Sequence, residues 1–500
     1  MDALILGFEV ALTGTNLAYC FLGVLLGTAI GVLPGIGALA AVSMLLPVTF
    51  YLHPTTALIL LAGVYYGAEY GGSTASILLR LPGTPASAIT CLDGYPMAKQ
   101  GKAGVALFTT SVGSFIGGSL GIILMMVLTP AIMTMSLAFG PAEYFAIILL
   151  GLVAAGTATG GSVVKGLMMI VFGLLVGCIG TDLNTGVVRY DLGFYELQDG
   201  INMVVLAMGL FGVSEVIASI DRPGGEIVQR RISLRSMIPS RAEWRQAYPA
   251  ILRGSAIGAF FGPLPGTGPS LASFMSYLVE KRIARDPSRF GKGAIEGVAS
   301  PEAANNAAVQ TAFIPTLALG IPGTATTAIL LGAMMVHGIQ PGPRLVTQNQ
   351  DLFWGVIASF WIGNLLLLIL NIPLIGIWVS ILKIPYRLLY PAILIFICVG
   401  VYSVNNNLFD VWMVLIVGLV GYGLRLLEFE PAPLLIGYIL GPLLEENLRR
   451  GLLLFRGDYM GFVQRPISAG ILLLLVLLIA YVAWSRYRAV RRGVSAAAAG

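Results

Sequence analysis

Charged residues are scarce in this sequence of 500 residues. Lys, Arg, Asp and Glu together make up 11% of it, whereas a soluble domain carries roughly 25%. Hydrophobic residues make up 57%, the mean hydropathy is +0.87, and apolar runs of about 20 residues, enough to cross a bilayer, recur along the chain. The composition excludes a soluble enzyme and predicts a polytopic membrane protein without a separate soluble domain.

Cysteine and histidine are also rare. Cys20, Cys91, Cys178 and Cys398 have no CxxC spacing and lie mostly among apolar neighbours, so we interpret them as packing residues rather than metal ligands or a disulfide framework. His337 has no partner at a metal-binding spacing and is interpreted as a turn residue. The sequence contains no P-loop and no Ser/His/Asp set, and we predict neither a cofactor nor a catalytic residue.

The net charge of +5 comes from basic residues in loops and in the C-terminal tail. Basic clusters occupy residues 221–253, 281–292 and 486–500, beside predicted spans. This is the positive-inside pattern, so we place the central basic loop and the tail in the cytoplasm and predict no nucleic-acid partner. The N-terminal residues lack a basic n-region, and no removable signal peptide is expected.

Two motifs occur twice, in the same order. Gly31-Val-Leu-Pro-Gly-Ile-Gly37 returns as Gly262-Pro-Leu-Pro-Gly-Thr-Gly268, 231 positions later. Arg80-Leu-Pro-Gly-Thr-Pro-Ala-Ser-Ala-Ile89 returns as Gly320-Ile-Pro-Gly-Thr-Ala-Thr-Thr-Ala-Ile329, 240 positions later. The sequence therefore predicts a long, degenerate internal duplication with a small insertion in the second copy.

Each of these motifs should interrupt a membrane helix. Proline removes a backbone donor and glycine loosens the helix, so we predict breaks at 34–35, 82–83, 265–266 and 322–323. Paired broken helices in two halves are the best sequence indication of a secondary transporter's binding site. The alternative is that these are packing kinks, since Gly and Pro are common in membrane helices. Four breaks in two ordered pairs favour the binding site.

The predicted fold is an all-α polytopic membrane protein with discontinuous or re-entrant helices and about 10 to 13 membrane spans. We assign a first repeat to residues 1–220, a basic cytoplasmic linker to 221–253 and a second repeat with additional scaffold helices to 254–485. The basic cytoplasmic tail is residues 486–500. Inverted topology of the two repeats is a hypothesis, because it requires an odd number of crossings between equivalent breaks.

Several polar residues lie at membrane depth beside the breaks. A carboxylate at the bilayer centre costs about 2.5–3.5 kcal/mol, so Glu69 and Glu302 are candidates for function. Glu302, Asn305 and Asn306 share one helical face if their segment is helical, and this face could bind Na⁺, a proton or a substrate carboxyl group. The alternative for Glu302 is a helix cap near the interface, after Ser300 and Pro301.

Four hydroxyl groups and one arginine lie next to the breaks. The hydroxyls belong to Ser73, Thr74, Thr84 and Thr324; they could contact a substrate or could make hydrogen bonds between helices. Arg80 could meet an anionic substrate, but we favour a side chain that extends to the interface.

Several motifs together resemble the large membrane subunit, the TctA type, of the tripartite tricarboxylate transporters. The resemblance covers about residues 16–445. The motifs that carry it are Gly31-Val-Leu-Pro-Gly-Ile-Gly37, Asp93-Gly-Tyr-Pro-Met-Ala98, Glu296-Gly-Val-Ala-Ser-Pro-Glu-Ala-Ala-Asn-Asn306, Ala318-Leu-Gly-Ile-Pro-Gly-Thr324 and His337-Gly-Ile-Gln-Pro-Gly-Pro343. Arg80 departs from the family, in which a neutral polar residue such as Asn is expected.

The resemblance implies a secondary transporter of the bacterial inner membrane that imports di- or tricarboxylates, driven by a Na⁺ or proton gradient. It implies two protein partners, a small membrane subunit (TctB type) and a periplasmic substrate-binding protein (TctC type), and it leaves the particular acid open. Glu302 and Asn305 are the candidates for binding the coupling ion. The residues predicted to bind substrate are Pro34, Gly35, Gly37, Ser73, Thr74, Pro82, Gly83, Thr84, Pro265, Gly266, Thr267, Gly268, Asn305, Asn306, Pro322, Gly323 and Thr324.

Three other functions are less well supported by the sequence. A membrane-embedded enzyme would need a catalytic cluster, and only scattered carboxylates are present. A channel would need neither a coupling ion nor a delivery protein, so saturable, gradient-dependent uptake separates it from a carrier. A purely structural subunit does not account for four costly helix breaks.

Overall fold

The computed structural model of the chain describes residues 2–158, 162–182, 185–219, 232–342, 345, 348–382 and 386–497. These residues are mostly helical; the strands found among them are β1 (Gly180–Thr181) and β2 (Val188–Arg189), paired antiparallel. The predicted all-α class is confirmed. Residues 221–231 of the predicted linker and 498–500 of the predicted tail lie outside the described part of the chain.

The helices follow one another closely along the chain. A π-helical turn, Met208–Val213, joins the ninth helix to the tenth, and short 3₁₀ turns occupy Ala86–Ala88, Tyr195–Asp199 and Pro287–Arg289. In chain order the helices are α1 (Asp2–Ala11), α2 (Gly14–Val32), α3 (Gly37–Thr49), α4 (Pro54–Leu79), α5 (Thr90–Lys99), α6 (Ala103–Ser136), α7 (Pro141–Thr157), α8 (Val163–Gly177), α9 (Met203–Ala207), α10 (Ser214–Ser219), α11 (Leu234–Met237), α12 (Arg241–Phe261), α13 (Gly268–Ile283), α14 (Glu296–Thr311), α15 (Phe313–Leu319), α16 (Ala325–Val336), α17 (Gln350–Asn371), α18 (Ile375–Ile381), α19 (Tyr386–Asn405), α20 (Leu408–Leu426), α21 (Ala432–Leu454), α22 (Gly461–Gln464) and α23 (Pro466–Ala497).

Contacts along the chain define two compact units. The first combines Met1–Ser136 with Ile201–Leu427, and the second combines Leu137–Gly200 with Glu428–Gly500. All four predicted breaks lie in the first unit. In the second unit, α21 packs against α7 and α8, and ion pairs join Arg189 and Arg449 to Asp182.

The units do not coincide with the predicted repeats. The boundary that we drew at residue 253 falls inside α12, which begins at Arg241. The reason is local: the Ser240 hydroxyl accepts a hydrogen bond from the backbone N–H of Glu243, which caps the helix start. Ala247 and Ile251 are then buried on one face. Part of the predicted linker is therefore the first half of a packed helix.

The cap of α12 is reinforced by charge. Partial burial raises the pKa of Glu243, but hydrogen bonds from Lys102 and Ser240 outweigh this effect and hold the pKa below its ordinary value. A carboxylate in the first turn also interacts favourably with the helix dipole.

Five of the described helices are long and apolar enough to cross a membrane. They are α2, α6, α17, α20 and residues Pro466–Ser485 of α23. Six shorter apolar helices accompany them: α3, α7, α8, Met203–Ser219, α16 and residues Tyr390–Asn405 of α19. The protein is therefore a multi-pass membrane protein, while the count of 10 to 13 spans stays a prediction.

Glycines hold α2 unusually close to α4. Gly23, Gly27 and Gly31 lie on one face of α2, four residues apart. A Cβ atom on Gly27 would lie 2.4 Å from the carbonyl oxygen of Val64, and one on Gly31 would lie 2.1 Å from that of Ala68. Positions increase together along both helices, so α2 and α4 run parallel. Such small-residue faces let membrane helices approach closely.

The same arrangement holds α12 against α14. A Cβ atom on Gly258 would lie 2.1 Å from the carbonyl oxygen of Ala304, and one on Gly262 would lie 2.5 Å from that of Ala308. The glycines follow those of α2 by 231 positions and the carbonyls follow those of α4 by 240. These are the offsets of the duplicated motifs.

We expect Gly27→Ala and Gly258→Ala to destabilise the protein to a similar degree. Each new methyl group would meet a backbone oxygen that cannot turn away, and overpacking of this kind costs about 1–3 kcal/mol. Gly14→Ala is the matched control, because no atom outside the local chain lies within 4 Å of the added Cβ. Thermal unfolding in detergent measures the effect; unchanged midpoints for both variants would contradict the close approach.

Candidate functional site

The first two breaks meet each other. Between α2 and α3 the chain leaves helical geometry, with Gly35 at φ 92° and Gly37 at φ 73°, values that favour glycine. After α4 the chain turns back, and a Cβ atom on Gly83 would lie 2.1 Å from the carbonyl oxygen of Gly31 and 2.5 Å from the Cα of Gly72. The second break therefore lies against the end of α2 and the middle of α4.

The third and fourth breaks also meet. Between α12 and α13, Gly266 has φ 80° and Gly268 has φ 59°. The backbone N–H of Gly266 donates to the carbonyl oxygen of Gly323 at 3.0 Å, and a Cβ atom on Gly323 would lie 3.0 Å from the carbonyl oxygen of Gly262. At Gly266 the interrupted backbone is thus paired within the protein, as backbone away from water must be.

The segments after the second and fourth breaks are capped in the same way. The backbone N–H of Thr84 donates to Ser87 Oγ at 3.1 Å, and the N–H of Ser87 points back to Thr84 Oγ1 at 3.4 Å. Thr324 and Thr327 repeat this exchange at 3.0 and 3.1 Å. Both predicted threonines therefore fix the chain where it resumes a helical path, a role that hydroxyls commonly have at helix starts.

Helices α4 and α14 cross in opposite directions. The ring of Tyr65 lies 6.2 Å from that of Phe313, the first residue of α15, whereas Glu69, one turn further along α4, neighbours Asn305 of the preceding helix, α14. The hydroxyl of Tyr65 is also 3.5 Å from Thr324 Oγ1. One turn of α4 thus reaches the fourth break as well as the polar face of α14.

Two carboxylates are buried at this crossing. Glu69 is 5% exposed and Glu302 is 1% exposed. Thr84 Oγ1 donates to Glu69 Oε2 at 2.9 Å, and Thr90 Oγ1 donates to Glu302 Oε1 at 2.5 Å. Because α14 begins at Glu296, Glu302 lies in the helix interior, and the alternative of a helix cap is wrong.

Asn305 lies between the carboxylates without making a hydrogen bond of its own. It neighbours both Glu69 and Glu302 and is fully buried, yet neither its Oδ1 nor its Nδ2 has a hydrogen-bond partner, and Glu302 Oε2 has none either. The amide thus interacts with the carboxylates by proximity rather than in hydrogen-bonding geometry. Leaving a buried polar group unpaired costs about 1–3 kcal/mol, so such atoms point to a ligand.

The two asparagines of the predicted pair separate. Asn306 Nδ2 donates to Ser114 Oγ of α6 at 2.7 Å and to the carbonyl oxygen of Glu302 at 3.2 Å. Asn306 therefore fastens α14 to α6, whereas Asn305 faces α4. The structure does not bring these two side chains to one place.

The other predicted hydroxyls bond within their own segments or lie inside a helix. Ser73 Oγ donates to the carbonyl oxygen of Tyr70 at 2.9 Å, and Thr267 Oγ1 donates to that of Leu264 at 2.8 Å. Thr74 is buried in α4. Among the prolines, Pro34 and Pro322 are buried, Pro265 is half-buried and Pro82 is exposed.

Arg80 lies on the surface at the end of α4. Its guanidinium is 5.8 Å from the centre of the Tyr95 ring, and its backbone is left-handed, at φ 58°. Gly320, 240 positions later, has φ 70° in the corresponding place. Asparagine tolerates this conformation better than arginine, which gives a backbone reason for the Asn that the family resemblance leads us to expect.

Sequence reasoning missed Asn364. Its Oδ1 accepts from the hydroxyl of Tyr70 at 2.6 Å, and its Nδ2 donates to the carbonyl oxygen of Phe115 and to Ser119 Oγ at 3.0 and 3.1 Å. It joins α4, α6 and α17. Its position as an asparagine within the apolar sequence of α17 could have indicated a hydrogen bond between helices.

Sequence reasoning also missed the role of Asp93. Its Oδ1 accepts from the backbone N–H groups of Gly291, Gly293 and Ala294, each at 2.8 Å, and its Oδ2 accepts from the hydroxyl of Tyr277 at 2.9 Å. Asp93 is completely buried on α5. It fastens α5 to the connection between α13 and α14.

We expect Asp93→Asn to destabilise the protein by about 3 kcal/mol, since hydrogen bonds to a charged group are worth about 1.5–3 kcal/mol each and an amide would turn a donor toward backbone donors. Thermal unfolding in detergent measures the loss. Asp199→Asn, in which the changed side chain is exposed, is the control; equal midpoints for the two variants would contradict a structural role for Asp93.

Comparison with known proteins bears on this architecture. The model of the family described as "Tripartite tricarboxylate transporter TctA family" matches residues 17–436. The "Uncharacterized 52.8 kDa protein in TAR-I ttuC' 3'region" of Agrobacterium vitis is 51% identical over 93% of each chain. The "Uncharacterized protein in TAR-II ttuC' 3'region" of the same organism is 58% identical over 43% of this chain and 89% of its own length. No solved structure matches the chain.

The fold and the site define a class: a multi-pass helical membrane protein with paired helix breaks around buried polar groups. The family match spans most of the chain. The protein therefore belongs to the tripartite tricarboxylate transporter TctA family, and it is a transporter component. The resemblance found in the sequence motifs is confirmed.

Proposed function

We propose that this chain is the large membrane subunit of a secondary active transporter that imports di- or tricarboxylates, driven by a Na⁺ or proton gradient. One observation carries the proposal. A single turn of α4 reaches both pairs of breaks, because Tyr65 lies 3.5 Å from Thr324 of the fourth break and Glu69 accepts a hydrogen bond from Thr84 of the second. A substrate at this place would contact one break of each pair.

Helix starts at the breaks suit an anionic substrate. Helices α3, α13 and α16 each begin at a break. The first turn of a helix presents unpaired N–H groups and the positive end of its dipole, which together favour a carboxylate without a buried cation. Broken helices in membrane transporters hold anionic groups in this manner. The predicted Pro-Gly residues at 34–35, 82–83, 265–266 and 322–323 supply this lining.

The contacts support two repeats of inverted topology. Within each half the paired helices are parallel, α2 with α4 and α12 with α14, whereas the equivalent helices α4 and α14 cross in opposite directions. An approximate two-fold axis in the membrane plane relates two such halves. Re-entrant hairpins would then be α2–α3 and α12–α13, with the first and third breaks at their tips.

The flanking helices support the same relation. Asn306 of α14 bonds to Ser114 of α6, and Tyr66 of α4 bonds to the carbonyl oxygen of Ser359 of α17 at 3.3 Å. Asn306 follows Tyr66 by 240 positions, and Ser359 follows Ser114 by 245. Helices α6 and α17 would then be equivalent supports for α14 and α4.

The tripartite family gives the remaining parts of the proposal. The partners would be a small membrane subunit of the TctB type and a periplasmic binding protein of the TctC type, which delivers the substrate. The location would be the bacterial inner membrane, with the central basic loop and the C-terminal tail in the cytoplasm, as the positive-inside rule favours.

Uptake into vesicles tests the proposed function. We would measure a panel of labelled carboxylates with and without the two partner subunits, under imposed Na⁺ and proton gradients. Saturable uptake of an acid that needs both the partners and a gradient is the expected result. Gradient-independent flux through this chain alone would instead favour a channel.

The two neighbouring asparagines give a matched comparison. We expect Asn305→Ala to lower uptake at least roughly tenfold, or about 1.4 kcal/mol, because its amide faces the buried carboxylates. Asn306→Ala should mainly lower the unfolding midpoint, since it removes the bond to Ser114. Uptake rates and thermal midpoints of both variants check this; the reverse pattern would move the site toward α6.

A further inference from the structure

Three unpaired atoms lie together at the crossing of α4 and α14. They are Glu302 Oε2, Asn305 Oδ1 and Asn305 Nδ2, on side chains that are at most 1% exposed. Two of them are acceptors, and they belong to residues that neighbour each other. The third is a donor, and the carboxylate of Glu69 is beside it.

We propose that Glu302, Asn305 and Glu69 form a proton-binding site that joins the two halves of the transporter. A hydronium ion gives up one proton and becomes water; the proton forms an O–H bond at Glu302 Oε2, and this hydroxyl donates to Asn305 Oδ1. Asn305 Nδ2 donates in turn to Glu69, which stays ionised. The charge of the pair changes from −2 to −1, and all three unpaired atoms gain partners. The inference rests on the proposed function in one respect: it makes the proton the coupling ion.

The surroundings supply no other neutralising charge. Among the described residues, no ion pair involves Glu69 or Glu302. The titratable groups that neighbour the pair are Tyr65 and Tyr70 of α4 and Cys91 of α5, which are neutral in their ordinary forms. Arg80 is exposed at the surface. Two carboxylates at membrane depth repel each other, and each is costly to bury in its charged form. Binding one proton lowers both the repulsion and the cost of burial.

Glu302 is the better place for this proton. Its Oε1 already accepts from Thr90, and its Oε2 has no hydrogen-bond partner, with Asn305 as its neighbour. Glu69 accepts a hydrogen bond from Thr84 and can also accept one from Asn305 Nδ2, as suits a carboxylate that keeps its charge. The network has one direction, from Glu302 through Asn305 to Glu69.

The proton would also determine how firmly the halves pack. Glu302 and Asn305 belong to the second half and Glu69 to the first. With the proton in place, a chain of hydrogen bonds crosses between α14 and α4. After its release two carboxylates face each other, and α4 and α14 are pushed apart. A proton entering from one side of the membrane and leaving on the other would thus be linked to movement at the breaks.

Infrared spectroscopy of the full chain in nanodiscs tests the proposal without partners or substrate. We expect a carboxylic-acid C=O band at neutral pH that Glu302→Gln removes and Glu69→Gln retains. Glu280→Gln is the matched control: Glu280 is 2% exposed but bonds Arg253 at 2.7 Å through both oxygens, so an arginine balances its charge and its loss should leave the band unchanged. A band absent from the wild type, or unchanged in Glu302→Gln, overturns the proposal.

Two further measurements keep the outcomes distinct. If Glu302→Gln does not fold, Thr90→Val leaves Glu302 in place but removes the donor to Oε1, and it should shift the band. Replacing choline chloride by NaCl at constant pH should have no effect; loss of the band on adding Na⁺ would show a sodium site and overturn the proton site. The band can exist while vesicle uptake fails, and uptake can succeed without the band, so the proposed function is judged separately.

Discussion

Interrupted backbone at membrane depth must find hydrogen-bond partners inside the protein, and the rest of this structure depends on that constraint. The close approach of the helices satisfies this constraint. The glycines of α2 and α12 let α4 and α14 come very near. The second break therefore lies directly against the end of α2, and the fourth break lies against the end of α12. Any larger residue would separate the helices and leave N–H and C=O groups of the breaks without partners. The breaks therefore depend on the glycine faces of α2 and α12.

The breaks place polar chemistry where α4 and α14 cross. Because α4 passes both pairs of breaks, its Glu69 can bond Thr84 on one side while Tyr65 lies beside Thr324 on the other. The supporting helices are held to this crossing by their own buried amides, Asn306 to α6 and Asn364 to α6 and α4. The polar groups that fix the scaffold are satisfied, whereas those around Asn305 are not.

The sequence predicts the breaks and the polar face of α14, because Pro-Gly pairs and polar residues are conspicuous in apolar runs. It does not predict that Asn306 turns to α6 while Asn305 faces α4. Adjacent residues point about 100° apart on a helix, and only packing decides which neighbour each one meets. The partners of Asp93 are also hidden, since they are backbone N–H groups about 200 residues away. Asn364 was visible in its apolar helix, but nothing local shows which hydroxyl it bonds.

The offset between the paired motifs changes along the chain. It grows from 231 at Gly268 to 240 at Ser300, and the stretch between these two residues contains α13 and its connection to α14. This connection supplies the N–H groups that hold Asp93. On the same helix, Thr90 bonds Glu302. The first turn of α5 is therefore fixed at two points: Thr90 bonds Glu302, and Asp93 bonds the connection between α13 and α14.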